Sequence, residues 1–396
     1  MKQTACVAGV AMIPFTKPGA SAPYHEMGAA AIRLALADAG IGYASVQQVY
    51  AGYVYGDSTC GQRAVYEVGM SGVPVLNVNN NCSTGSSALF LARQAIESGA
   101  AECVLAVGFE QMRPGALETH WNDRPSSFGR FDDLCEQIAG GEGLPLALRY
   151  FGGAGAEHMQ RYGTPMESFA KIRAKASRHA AHNPMALLRK VVSTDEVMQA
   201  PVLWPGVMTR LMACPPTCGG AAAILMSEAF ARKHGARSDV RILAQAMTTD
   251  RPATFDTRSM IDLVGYRMGA EAAAMVYEQA GVGPDDIDVC ELHDCFAHNE
   301  LITYESLGFC PPGGAAQFID DGDNTYGGKV VTNPSGGLLS KGHPLGATGL
   351  AQCYELTQQL RGRADARQVG GARLALQHNL GLGGAAVVTL YGKEAR

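Results

Sequence analysis

Residues 73–99 read VPVLNVNNNCSTGSSALFLARQAIESG, and this stretch decides the fold. The alternating apolar residues of VPVLNV predict a short strand, and apolar residues at helical spacing after Cys82 predict a helix that ends near Gly99. Cys82 therefore stands at a strand-to-helix corner, where the positive end of the helix dipole lowers the pKa of a thiol. A single free cysteine is more often a buried, inert core residue, so a nucleophilic role for Cys82 needs support from the rest of the chain.

The bulk composition indicates a globular protein with a large core. The chain has 396 residues, of which 47% are hydrophobic and 17% charged, enough for two to three domains. A net charge of −5 with interleaved signs argues against nucleic acid as the main partner. No run of eighteen apolar residues occurs, so no membrane span is predicted. The eleven cysteines lack a framework spacing and predict reduced thiols, and Cys214 and Cys218 lack the further ligands of a zinc site.

Short apolar strands alternate with helices in two parts of the chain, which predicts βαβ units and a parallel sheet covered on both faces. The order strand, glycine-rich corner, helix, central strand occurs in both parts. Residues 1–111 with 216–236 form the first half, and residues 237–396 form the second. A helix is predicted over 345–361, with Pro344 at its first turn. This internal duplication brings the corners of Cys82 and His343 face to face across a pseudo-twofold axis.

Residues 112–215 are richer in proline, arginine and glycine than the two halves, and they predict an inserted loop domain that carries much of the substrate pocket. Its helices are expected to be short, near 157–162 and 167–180. Seven basic residues are concentrated here. They suit a phosphate-bearing ligand, although solvated helix charges explain most of them more simply: Arg124, Arg130, Arg149, Lys171, Arg173, Lys175 and Arg178.

Polar side chains follow four predicted strands. They are Cys82, the run His293-Asp294-Cys295-Phe296, His343 in a Gly-His-Pro turn, and His378-Asn379. Catalytic groups gather beyond the carboxyl ends of the strands in parallel sheets. Each histidine alone is more simply explained as a hydrogen-bonded structural residue, but four such corners together indicate an active site.

Four segments, NNNCSTGS, ELHDCFAHNEL, NPSGGLLSKGHPLGATGLAQ and ALQHNLGLGGA, are similar to the signature loops of the thiolase superfamily. The similarity extends essentially from end to end and is strongest to the sterol-carrier-type branch. It implies an α/β thiolase fold, in which two duplicated βαβαβαββ halves form a layered α/β/α/β/α core with an inserted loop domain. It also implies a homodimer, or a tetramer built from dimers.

The implied reaction is the cleavage of a 3-oxoacyl-CoA by CoA into acetyl-CoA or propionyl-CoA and a shortened acyl-CoA, in the degradative direction of fatty-acid or sterol side-chain β-oxidation. The resemblance implies CoA as co-substrate, with no metal and no tightly bound cofactor. A thiolate is a good nucleophile for the ketone, and the departing enolate needs a proton from a group such as Cys or His.

The resemblance also implies a role for each corner residue. Cys82 matches the nucleophile that takes the acyl group, His343 the residue that activates this thiol, and His293 a member of an oxyanion site. Common thiolases carry Cys-x-Gly in the last loop, where His378-Asn379-Leu380 is aligned here, so Cys295 is the implied acid/base. His378 is then a neighbour or a second proton carrier.

Two other functions remain open at this stage. A partner-dependent steroid-CoA retro-aldolase needs no acyl-accepting thiol, so the presence of Cys82 counts against it. A non-catalytic acyl-CoA-binding or lipid-binding protein would not need Cys82, His293, Cys295 and His343 together. The chain ends in Lys-Glu-Ala-Arg, without a peroxisomal address. A bacterial cytoplasmic enzyme is therefore expected, with a peroxisomal form as the alternative.

Overall fold

The chain folds as two α/β halves with the same strand order and a helical insertion. The computed structural model describes residues 3–115, 117 and 121–393. The first half begins with β1 Ala5–Met12, α1 Tyr24–Ala39, β2 Gln48–Gly52, α2 Cys60–Tyr66, β3 Val75–Val78, α3 Thr84–Glu97 and β4 Cys103–Glu110. The insertion contains α4 Gly129–Ile138, α5 Leu146–Tyr162, α6 Met166–Ala180, α7 Thr194–Met198, β5 Val202–Trp204 and β6 Met208–Thr209. The first half ends with β7 Gly219–Ser227 and α8 Glu228–His234.

The second half repeats the pattern with additional short helices. Its elements are β8 Val240–Thr248, α9 Ala253–Asp256, α10 Met260–Leu263, α11 Tyr266–Ala280, β9 Val289–Glu291, α12 Ala297–Ser306, α13 Ala315–Asp320, β10 Val331–Thr332, α14 Gly337–Ser340, α15 Thr348–Arg361, β11 Leu374–Gly381 and β12 Ala385–Lys393. Four single-turn 3₁₀ helices lie at Tyr43–Ser45, Arg210–Met212, Pro284–Asp286 and Asp365–Arg367. Within the described ranges, no helix has both the length and the apolar character needed to cross a bilayer.

Ten strands form one sheet in the order β10-β9-β11-β12-β8-β1-β7-β4-β2-β3. The two halves meet at a single ladder pair, Cys6 with Arg241, and each half contributes five strands in the same order about this junction. This arrangement confirms the predicted duplication. The expectation of a parallel sheet is only partly correct. β2, β3 and β4 pair in parallel, as do β9, β10 and β11, whereas β1, β7, β8 and β12 pair antiparallel with their neighbours.

The helices form three layers around the strands, as the predicted thiolase fold requires. α1 packs on β1 and β7, and α11 packs on β8 and β12 at the equivalent place in the second half. Between them, α3 and α15 contact each other and strands of both halves.

Two glycines allow the first turns of α3 and α15 to meet. A Cβ on Gly85 would lie 2.8 Å from the carbonyl oxygen of Gly346, and one on Gly349 would lie 2.3 Å from the backbone nitrogen of Ser86. A side chain at either position would separate the two corners, so the glycines hold Cys82 and His343 at neighbouring helix starts.

The insertion differs from its prediction in the length and burial of its helices. α5 runs from Leu146 to Tyr162, and its start was missed because the run FGGAGA carries little helix propensity. Those glycines allow close packing, since a Cβ on Gly155 would lie 2.2 Å from the ring of His298. Among the predicted basic residues, Arg149, Arg173 and Lys175 are buried, so neither a solvated face nor a phosphate site describes these three.

Two element bounds near the catalytic corners also need correction. The helix predicted over 345–361 begins at Thr348, and Pro344 precedes it, with its carbonyl oxygen accepting from the N–H groups of Ala347 and Thr348. β11 continues through His378 and Asn379 to Gly381 instead of ending before them. This second difference decides which side chain of the last loop faces Cys82.

Candidate active site

Cys82 lies in the short corner between β3 and α3. Its side chain is buried, and its Sγ is 3.6 Å from Asn81 Oδ1. Burial and the nearby negative charge of Glu110 raise the pKa of the Cys82 thiol to about 12, the opposite of the lowering expected from the helix start. The thiol is therefore neutral at pH 7, and it needs a base that takes its proton during the reaction.

Glu110 connects the two catalytic corners. Its carboxylate, at the end of β4, accepts N–H groups from Val54 at 3.0 Å, Tyr55 at 2.9 Å and Gly346 at 3.0 Å. Gly346 belongs to the loop of His343, so a side chain of the first half fixes a loop of the second. Burial raises the pKa of Glu110 to about 7.

His343 lies at the same corner as Cys82. Its Nδ1 is 2.7 Å from Thr348 Oγ1, and the hydroxyl proton of Thr348 is donated to the carbonyl oxygen of Pro344 at 3.0 Å. With that proton on the Pro344 carbonyl, Thr348 Oγ1 accepts from His343, and this assignment puts the ring proton on Nδ1. Nε2 is buried and has no hydrogen-bond partner among the described residues. Burial lowers the pKa of His343 to about 3, so the ring is neutral with a free lone pair at Nε2.

His293 completes the group. Its ring centre is 5.0 Å from that of His343, at an interplanar angle of 83°. Sγ of Cys82 and one ring nitrogen of each histidine lie within 4.8 Å of one another. Cysteine with two histidines is also a donor set for zinc. However, Nδ1 of His293 is 3.0 Å from the amide nitrogen of Asn379, and this contact determines what the ring offers.

A largely apolar cavity of about 260 Å³ opens onto these groups. Four of the five predicted residues line it together, namely Cys82, His293, Cys295 and His343. Its apolar wall combines both halves and the insertion through Leu148, Phe151, Phe296, Leu345, Leu380 and Leu382.

Two thiols besides Cys82 line the cavity. Cys295 is the predicted one, and burial raises its pKa well above the ordinary value. Cys214 was missed as a site residue because its spacing to Cys218 directed attention to zinc. Its backbone N–H donates to the carbonyl oxygen of Cys295 at 2.9 Å, and burial raises the pKa of its thiol as well. The adjoining Pro216 pairs with His343, so this strand-like segment contacts both catalytic loops.

His378 is not brought to the cavity with the other four residues. Because β11 continues past it, its side chain faces the outer layer, where a Cβ on Gly269 of α11 would lie 3.1 Å from His378 Nε2. Its neighbour Asn379 faces Cys82 instead, donating to the carbonyl oxygen of Cys82 at 3.1 Å. If Gly381 is taken as the glycine of Cys-x-Gly, Asn379 stands at the cysteine position. The alignment from the sequence, which placed His378 at that position, was then shifted by one residue.

Buried polar side chains hold the loops of the second half that reach the cavity. Asp294 accepts the N–H groups of Leu338 at 2.7 Å and Leu339 at 3.2 Å, and burial raises its pKa to about 8. Lys341 donates to Glu291 at 3.0 Å, and both side chains are almost completely buried. These contacts fix the loop that precedes His343.

Comparisons with known proteins show the family to which the chain belongs. Residues 5–187 match the family model described as "Thiolase, N-terminal domain", and residues 252–393 match "Thiolase C-terminal domain-like". The chain therefore belongs to the thiolase superfamily. Within it, the chain is 56% identical over 389 residues to "Sterol carrier protein 2" of Homo sapiens, covering 97% of this chain and 71% of that protein. This similarity confirms the sterol-carrier-type resemblance.

Solved structures share the fold at low identity. One is "Ltp2-ChsH2(DUF35) aldolase", with a TM-score of 0.85 at 22% identity, covering 99% of this chain and 98% of that one. Another is human mitochondrial 3-ketoacyl-CoA thiolase in complex with CoA, with a TM-score of 0.74 at 19% identity and coverage of 99% and 98%. At these identities, the structures show the fold alone.

Proposed function

We propose that this protein is a thiolase that cleaves 3-oxoacyl-CoA with CoA to acetyl-CoA or propionyl-CoA and a shortened acyl-CoA, in fatty-acid or sterol side-chain degradation. The observation that carries the proposal is the free, buried Nε2 of His343 beside the Cys82 thiol, with its tautomer set by Thr348. A neutral base next to a neutral thiol is the arrangement that activates a cysteine nucleophile.

In the first step, Cys82 Sγ bonds to C3 of the substrate while its proton passes to Nε2 of His343. Burial disfavours a separate thiolate and a separate imidazolium alike. The proton therefore moves as the new bond forms, and no ion pair accumulates in the free protein. The C3 oxygen gains negative charge, which nearby N–H donors stabilise by about 3–4 kcal/mol each.

In the second step, the C3 carbonyl re-forms and the C2–C3 bond breaks, leaving its electron pair on C2 as the enolate of acetyl-CoA. We assign the proton for C2 to the Cys295 thiol and the stabilisation of the enolate oxygen to His293. The Cys295 thiolate then takes the proton of incoming CoA. The CoA sulfur attacks the Cys82 thioester, and His343 returns its proton to Cys82. The residues end as they began.

Asn379 cannot exchange a proton in this cycle, which supports the assignment to Cys295. His378 was predicted as a neighbour or second proton carrier. It is near enough to His293 to lower the pKa of that ring, but its placement on the outer face gives the proton-carrier role no geometric support. The apolar cavity wall suits an acyl chain, and CoA enters as co-substrate. The absence of a tightly bound cofactor and of a metal stays a prediction.

The test is CoA-dependent cleavage of acetoacetyl-CoA and of a medium-chain 3-oxoacyl-CoA, with products identified by mass spectrometry. Wild type should turn over both, and Cys82→Ala should turn over neither. Cys60→Ala, which removes a buried thiol outside the cavity, serves as the control. Cleavage that survives in Cys82→Ala would contradict the nucleophile assignment. No turnover by wild type would favour a partner-dependent aldolase or a binding protein instead.

We also propose a homodimer formed through β3. This strand is the free edge of the first half, and Leu76 on it is 45% exposed. The strand VLNV carries no charge that would protect an isolated edge from pairing. Light scattering should give twice the monomer mass, and Leu76→Lys should shift the protein toward monomer. A cytoplasmic location stays a prediction, with a peroxisomal one as the alternative.

A further inference from the structure

The amide of Asn379 lies between the nucleophile and His293. Its Nδ2 is 3.1 Å from the carbonyl oxygen of Cys82 and 3.0 Å from Nδ1 of His293, and all three residues are buried. A carbonyl oxygen only accepts hydrogen bonds, so the Asn379 atom beside Cys82 must be the nitrogen.

A second chain of contacts fixes the same orientation from the other side. Gln377 Nε2 lies 2.8 Å from the carbonyl oxygen of Gly349, which identifies it as the nitrogen, and it donates to Ser86 Oγ at 2.7 Å. Ser86 then gives its single hydroxyl proton to Asn379 Oδ1 at 2.8 Å. The carbonyl oxygens of Cys82 and Gly349 can only accept hydrogen bonds. Together they determine which atom of the Asn379 amide is the nitrogen, so the amide cannot be reversed.

The orientation of the amide determines the tautomer of His293. The two protons of Asn379 Nδ2 are shared between the Cys82 carbonyl and His293 Nδ1, so Nδ1 must present its lone pair. Burial and the neighbouring His343 and His378 lower the pKa of His293, which keeps the ring neutral with its one proton on Nε2. His343 carries its proton on Nδ1, so the two rings of the site have opposite tautomers.

We propose that Asn379 is a positioning residue that holds His293 in the Nε2–H tautomer, so that this histidine presents a donor to the cavity while His343 presents a lone pair. The inference deepens the proposed thiolase function and rests on it only for the consequence in catalysis. Without the amide, either nitrogen of His293 can carry the proton. A lone pair at Nε2 would repel the developing enolate oxygen, and it would complete a Cys-His-His set for a metal.

The first test reads the tautomer directly and needs no activity. In ¹⁵N-histidine-labelled protein, the His293 resonances are assigned by their loss in His293→Asn. Wild type should show a protonated Nε2 and an unprotonated Nδ1. In Asn379→Asp, the carboxylate accepts from the ring, so Nδ1 should become protonated. Asn299→Ala is the matched control, because Asn299 donates to the backbone oxygen of His293 and not to its ring. An unprotonated Nδ1 in Asn379→Asp would overturn the proposal.

The second test is a double-mutant cycle on turnover. Asn379→Ala should lower kcat about 10²–10³-fold, the size of a lost oxyanion donor. The His293→Asn variant has no histidine tautomer at this position. In that background, Asn379→Ala should lower kcat only a few-fold further. Equal losses in both backgrounds would mean that Asn379 acts only structurally. Ser86→Ala removes the hydrogen bond that holds the Asn379 amide but keeps the amide, so it should lower kcat by a smaller factor. This variant replaces Asn379→Ala in the test if Asn379→Ala does not fold.

Discussion

The central helices α3 and α15 both begin with a threonine followed by a glycine, but the hydroxyl groups of the two threonines make different contacts. α3 starts with Thr84-Gly85 and α15 with Thr348-Gly349, at equivalent places in the duplicated strand order. The hydroxyl of Thr84 donates to the backbone oxygen of Asn81 and accepts from the N–H of Asn80, and it only shapes the corner. The hydroxyl of Thr348 accepts from the His343 ring and determines which nitrogen of the base is free.

The two chain segments that lead into α3 and α15 also differ in how many polar side chains hold them. Residues 79–83 lead directly from β3 to α3, and this corner is held by hydrogen bonds of uncharged side chains such as Ser83 and Thr84. Residues 333–347 lead from β10 to α15, include α14, and are anchored by the buried Lys341–Glu291 ion pair and by the carboxyl group of Asp294. A nucleophile can be placed by a tight corner, whereas a base needs its ring orientation and protonation fixed as well. The two halves therefore share a scaffold and differ in the buried polar groups that precede their central helices.

The strongest test of this comparison concerns the proton donor from the second half. Cys295→Ala should lower turnover about 10²–10⁴-fold, the usual size of a general acid/base contribution. Breakage of the C2–C3 bond uses the Cys295 proton, so the acyl mass that wild type gains on Cys82 when CoA is omitted should form much more slowly in this variant. Cys214→Ala removes a thiol of the same cavity and should cost only a few-fold. Acyl transfer at the wild-type rate in Cys295→Ala would contradict the assignment of the C2 proton to Cys295.

Stability should show the contrast between the two corners. Lys341→Met leaves the Glu291 carboxylate buried without its counter-ion and should lower the free energy of unfolding by about 3–5 kcal/mol. Ser83→Ala in the first corner removes only a hydrogen bond to the Asn80 carbonyl and should cost about 1 kcal/mol. Urea unfolding measures both. The double variant Lys341→Met/Glu291→Gln should regain part of the loss, and similar costs at the two corners would refute the contrast.

The pH dependence of alkylation tests whether the two corners form an ion pair at rest. Because the pKa of Cys82 is raised to about 12, its thiolate fraction increases tenfold per pH unit below that value. The rate of modification by iodoacetamide should therefore rise about a hundredfold between pH 7 and pH 9. Peptide mass spectrometry follows Cys82 specifically, with urea-unfolded protein as the reference thiol. A rate that levels off below pH 8 would show a thiolate–imidazolium pair instead.

The sequence was sufficient for the fold and for the four residues of the cavity, because long loop motifs and a duplicated element order are visible along the chain. The sequence did not predict the properties that depend on burial in the folded protein. The helix start at Cys82 predicted a lowered pKa, but burial in the folded protein reverses this direction, and the negative charge of Glu110, which is distant in sequence, adds to the rise. Lys175 and Arg173 appeared as solvated charges, and only the packed fold shows that they are buried.

The last loop illustrates a different limit. His378 and Asn379 are adjacent, and side chains alternate between the faces of a strand, so a one-residue error in alignment exchanges the two. A histidine attracted the catalytic assignment because it titrates near neutral pH, whereas an asparagine carries no such signal. The spacing from Asn379 to Gly381 matched Cys-x-Gly and was the available clue.

The smallest effect is expected for substitutions of Thr348 and Thr84, which begin the two central helices. Thr348→Val removes the acceptor for Nδ1–H of His343 and leaves the ring free to turn or change tautomer. One hydrogen bond is worth about 1 kcal/mol, so turnover should fall about five-fold to tenfold. Thr348→Ser keeps the hydroxyl and should restore most of the activity. Thr84→Val makes the same change at the equivalent position, where the hydroxyl touches only backbone, and it should lower stability with little effect on the turnover of folded protein. Equal losses of turnover in the two valine variants would mean that Thr348, like Thr84, only shapes its corner, and that the proton position on His343 is set by something else.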